Sequence, residues 1–77
     1  KSNSETCDSI ATFAASANQA KSNGVDFITF VKKLDEVDAP DETKVSMKFI
    51  AAKAYLSVTP EEAYSSTYME CIMSLGK

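Results

Sequence analysis

The chain has 77 residues, 44% of them hydrophobic and 25% charged, with a formal net charge of −3. That describes one small globular domain, too apolar to stay disordered and near the size where a single core is marginal. All eight bases are lysines and there is no histidine, so the chain lacks the bidentate fork that reads phosphates and base edges, the usual general base and the commonest metal ligand. Nucleic-acid binding, a bound metal or cofactor and acid–base catalysis are therefore not expected.

Residues 1–4 are polar and read as a flexible lead. The chain opens K-S-N-S-E, without a methionine, and reads as a mature form whose leader has been removed. Asn3 or Ser4 can cap a first helix, with Glu5 and Asp8 in its first turn, where the helix dipole favours acids. Cys7, Ile10, Ala11, Phe13, Ala14, Ala17 and Ala20 recur at three and four. They form one alanine-rich face that lets a neighbour come close. Asn23-Gly24 ends the run, glycine being suited to a left-handed stop.

Asp26 is a cap for a second helix, with Phe27, Ile28, Phe30, Val31 and Leu34 on its apolar side and Lys32 and Lys33 outward. A strand reading of V-D-F-I-T-F-V has the right residue types but finds no partner strand elsewhere. A third helix is expected to open at Ala39-Pro40-Asp41-Glu42, with proline at its first position, and to run to about Leu56. Val45, Phe49, Ala52 and Leu56 form its expected inward seam, widened by Ile50 and Ala54. Lys44, Lys48 and Lys53 fall nearer the other side and read as a solvated face. Thr59-Pro60-Glu61-Glu62 is a capping box that opens a fourth helix, with Val58 and Ala63 at the staple positions. Tyr64, Tyr68, Cys71, Ile72 and Leu75 are its inward stripe, and Gly76 is its stop. The expected fold is all-α: a compact bundle of four short helices in an up-and-down order.

Cys7 and Cys71 lie on apolar faces of the two terminal helices. An even count in a short chain fits a disulfide in an oxidising compartment, against two free buried thiols in a reducing one. Such a bridge would close a loop of about 65 residues, roughly 4 kcal/mol on the chain-entropy argument.

Catalytic constellations fail on inventory. Serines have no base to activate them, and the cysteines are far from a redox pair. No enzyme and no small-molecule substrate are expected. Asp35, Glu36, Asp38, Asp41 and Glu42 place five carboxylates in eight residues. They lack the spacing and glycine turn of a calcium loop and read first as a solvated loop, second as a patch for a partner. Tyr55 falls off the third helix's seam and is a candidate exposed contact. Met69 and Met73, off the fourth helix's stripe, are candidates for an adaptable apolar patch.

The layout of Cys7, the A-K-S-N-G-V stop at Gly24, the A-Y-L-S-V-T-P-E-E-A-Y run and the closing C-I-M at Cys71 resembles small periplasmic two-cysteine helical proteins of proteobacteria and their phages. The acid-stress chaperone HdeA and the Tai-type immunity proteins of type VI secretion are of that general kind. The resemblance implies a disulfide joining the first and last helices and a periplasmic or secreted location. It implies no binding residue. Two functions follow as expectations. One is an inhibitor, immunity or exclusion protein that binds a protein partner in the cell envelope, with the polar lead as a tether after a lipid anchor in one variant. The other is an acid-activated chaperone, loosened when the carboxylates protonate and the lysines repel.

Overall fold

The structure, a computed structural model, describes residues 3–75. Four helices make up the fold: α1 (Asn3–Ser22), α2 (Phe27–Asp35), α3 (Asp41–Leu56) and α4 (Pro60–Leu75). There is no strand among the described residues. The expected Gly76 stop, the Leu75 side chain, and Lys1 and Ser2 of the lead lie outside them. Asn3 and Ser4 are already inside α1, so neither position ends a lead.

The local signals act largely as expected. Gly24 takes φ 91°, and the Val25 N–H reaches the Ala20 carbonyl while the Gly24 N–H reaches that of Lys21, both at 3.0 Å. This is the double bond pattern of a Schellman stop, in which glycine's missing Cβ removes the strain of a left-handed residue. Asp26 caps α2, accepting from the Thr29 N–H at 2.7 Å. Pro40 sits one position earlier than expected, as the cap of α3 with extended backbone. At α4, Thr59 Oγ1 accepts from the Glu62 N–H at 3.1 Å. The Glu62 carboxylate reaches back past the cap to the Val58 N–H at 2.7 Å. The staple does not form: Ala63 is buried but Val58 stands in solvent.

Helix α1 is the hub. It packs most extensively on α4 and next on α3, whereas α2 leans chiefly on α3, and α3 meets α4 only lightly. The four helices therefore form a flat slab, 35 × 29 × 15 Å, rather than an up-and-down ring. Cys7 and Cys71 are joined with their Cα atoms 5.5 Å apart, stapling α1 to α4 across 64 positions of sequence.

Among the described residues, six of the eight buried hydrophobic ones are alanines: Ala11, Ala14, Ala17, Ala51, Ala54 and Ala63, beside Cys7 and Leu34. Small side chains let helices approach closely, at the cost of little apolar area per residue. Larger groups ring this centre: Phe13, Phe27, Phe30, Met47, Ile50 and Tyr55 pack against it half-buried.

That ring overturns one expectation. The seam expected to face the core from α3 faces away from it. Val45, Phe49 and Leu56 are 51%, 71% and 85% exposed, while Ala51 and Ala54 are the buried positions. The alanine ridge of α1 selects the alanines of α3, because only small residues on both sides allow that close contact. On α2, Leu34 is buried and Ile28 is exposed.

Asn18 is the one buried polar residue among those described, 1% exposed, on the α1 face shared with Cys7, Ala11 and Ala14. Its Nδ2 donates to the carbonyls of Ala54 and Ser57, both at 2.8 Å. Ala54 lies in the last turn of α3, where its carbonyl also accepts from the Ser57 N–H at 3.1 Å, and Ser57 is the C-cap residue. Lys21 adds a longer bond to the Ser57 carbonyl at 3.4 Å. A side chain of α1 thus caps the C-terminus of α3.

Candidate functional site

Tyr55 is not an exposed contact. It is half-buried, its hydroxyl donates to the Val25 carbonyl at 2.8 Å, and its ring meets Phe27 at 5.4 Å and Phe30 at 5.8 Å between centroids. Burial, with the nearby Asp26 charge second, raises its pKa above the ordinary 10.0. It locks the α1–α2 turn and α2 onto α3. Tyr55 looks off-seam only if the α3 seam faces inward, so correcting that face also moves Tyr55 inward.

The five carboxylates do not converge. Asp35 is the last residue of α2 and pairs with Lys48 at 2.7 Å, while its backbone carbonyl accepts from Lys44 Nζ at 2.8 Å. The Lys48 hydrogen bond, above all, holds the Asp35 carboxyl below its ordinary 3.8. Glu36 follows as the α2 C-cap, Asp38 is exposed in the loop, and Asp41 and Glu42 occupy the first turn of α3. No group of three or more potential metal ligands forms among the described residues.

The lysines of α3, expected on a solvated face, each reach a neighbouring helix. Lys44 and Lys48 hold the end of α2, and Lys53 pairs with Glu70 of α4. On α4, Tyr64 and Tyr68 stack at 5.8 Å and 9°, and the Tyr64 hydroxyl donates to Asp8 of α1. That bond chiefly, then desolvation, raises the Tyr64 pKa above 10.0. Tyr64 thus ties α4 to α1, and Tyr68 stacks on it within α4. Met69 and Met73 are exposed as expected, on the outer side of α4.

The outer face of α3 carries several exposed apolar side chains. Val45, Phe49 and Leu56 stand exposed there with Ala52 half-buried between them. Val45, Lys48, Phe49 and Ala52 line an open apolar hollow of about 320 Å³. Isolated exposed apolar residues are ordinary, whereas these follow one another along one side of a single helix. Sequence reasoning found these residues and assigned them to the wrong side. It missed Asn18 altogether, although Cys7, Ala11, Ala14 and Asn18 follow a four-three-four spacing that puts the amide on the buried face.

No family model, curated protein or solved structure matches the chain. No helix among the described residues is long and apolar enough to cross a membrane.

Proposed function

We propose that the protein is a small binding domain that acts by protein–protein contact, of inhibitor or immunity type, in an oxidising compartment such as the periplasm. The observation that supports this reading best is the exposed apolar stripe of α3 on a domain stapled end to end by Cys7–Cys71. A stapled, preformed surface loses little entropy on docking, so a modest patch can bind well. Phe49 is the natural anchor, a large aromatic near the middle of the stripe. The test is site-specific photocrosslinking in envelope extract, with the reactive group placed in turn at positions 36, 49, 56, 69 and 73. A discrete protein adduct at one or more positions supports a binding role; no adduct at any position removes it.

A second reading, the acid-activated chaperone, has one specific support. Both ends of α2 are held by carboxylates whose pKa lies below the ordinary value. Asp26 is held down mainly by the Thr29 backbone N–H, and Asp35 by Lys48. Protonation would release α2 and uncover Phe27, Phe30 and Leu34. Suppression of a client's aggregation at about pH 2 and not at neutrality would favour this reading; a folded, inactive protein there would end it.

A further inference from the structure

The outer stripe of α3 has an internal order that a merely sticky patch would not need. Val45, Phe49, Ala52 and Leu56 are spaced four, three and four, the a/d spacing of a heptad. With Val45 and Ala52 at d and Phe49 and Leu56 at a, Lys48 takes the g position and Lys53 the e position. Met47, Ile50, Ala51 and Ala54 then take f, b, c and f, and these are the half-buried or buried residues turned to the protein's own core. One helix thus carries two complete faces. The hollow of Val45, Lys48, Phe49 and Ala52 is built from positions i, i+3, i+4 and i+7. That is the four-residue hole into which a facing helix inserts a knob in coiled-coil packing.

We propose that the outer face of α3 receives an amphipathic helix of a partner protein, apolar at its own a and d positions and acidic at e and g. This rests on the binding role above and names its occupant. The flanking charges decide against a second copy of this chain. In a parallel pair, Lys48 at g would face Lys53 at e of the other copy. In an antiparallel pair, Lys48 would face Lys48 and Lys53 would face Lys53. Either way lysine opposes lysine, whereas Glu or Asp on a partner would complement both edges. Both lysines are available for this. Their pairs with Asp35 and Glu70 are solvent-exposed, with side-chain exposures of 35% and 53% for Lys48–Asp35 and of 52% and 60% for Lys53–Glu70. Exposed pairs of this kind contribute little to stability. The lysines can turn to a docking helix at little cost. Four ordered a and d positions on a prefolded helix also remove the ordering cost on this side.

The test uses the intact oxidised protein and two labelled synthetic helices with leucine at a and d, one with glutamate and one with lysine at e and g. Fluorescence anisotropy should show the glutamate helix binding at least tenfold more tightly. Phe49→Glu, on an exposed side chain, should keep the circular dichroism and melting of the parent and lose about tenfold or more in binding. The Lys48→Gln/Lys53→Gln variant should bind both helices alike. Equal binding of the two helices to the parent protein, or binding of neither, overturns the proposal. So does a concentration-dependent dimer of the parent that Phe49→Glu abolishes, which would make a second copy the occupant. Photocrosslinks from positions 36, 69 or 73 but not from 49 or 56 would leave the binding role standing and overturn this inference alone.

Discussion

Asn18→Ala should destabilise the protein by about 2 kcal/mol, although position 18 touches no proposed binding surface. The substitution deletes two hydrogen bonds of 2.8 Å between α1 and the end of α3, each worth about 1 kcal/mol net. Neither carbonyl is left wholly orphaned, since Ala54 still accepts from the Ser57 N–H at 3.1 Å and Ser57 from Lys21 at 3.4 Å. The heavier cost of burying an unsatisfied acceptor is thereby avoided. Asn18 Oδ1, which finds no donor among the described residues, leaves with the side chain and offsets part of the loss. Asn18→Asp separates this account from simple packing. It keeps the shape but turns an oxygen toward two carbonyl oxygens and buries a charge. A loss above about 3 kcal/mol is expected at neutral pH. The new carboxyl's pKa would be raised on folding, so its penalty should shrink as pH falls. Urea denaturation of the oxidised protein, read by circular dichroism, measures both variants. Asn18→Ala within about 0.5 kcal/mol of the parent, or Asn18→Asp no worse than Asn18→Ala, would refute the cross-helix cap.

Removing the staple with Cys7→Ser/Cys71→Ser should lower stability by up to roughly 4 kcal/mol, from the loop of 64 positions it closes; urea midpoints with and without reductant report it. Tyr55→Phe keeps both ring contacts but loses the bond to the Val25 carbonyl, so it should cost about 1 kcal/mol in the same assay. Acid should loosen α2 before the other helices. Asp26 and Asp35 have folded-state pKa values below the ordinary 3.8, so their stabilisation is present above that value and fades as pH falls through the lowered ones. Amide exchange followed by NMR during an acid titration should show residues 27–35 losing protection first, and α1 exchanging in step with α2 would contradict it.

Much of the chain's local structure was legible because its signals act over a few residues. The Asp26 cap, the Gly24 stop, the Thr59–Glu62 box and the end of α3 at Leu56 each depend on bonds or steric limits within one turn. The cystine was legible from two cysteines on terminal apolar faces. The candidate surface was only half legible. Met69 and Met73 lie off a stripe that is largely inward, so their exposure followed from α4 alone. Tyr55 and the α3 seam could not be placed that way. Helix α3 is apolar around most of its circumference, so a period of 3.6 residues admits two stripes of equal standing.

By itself, then, the sequence indicated four helices and most of the ends between them, and pointed to a covalent link between the first and the last. Only the tertiary structure decided which face of α3 is inside. Beside the alanine ridge of α1, Ala51 and Ala54 are buried while Phe49 and Leu56 stand in solvent, as close helix approach favours small side chains. The close approach also brings the Asn18 amide within reach of the last carbonyls of α3. The bulky stripe of Val45, Phe49 and Leu56 is left on the outside.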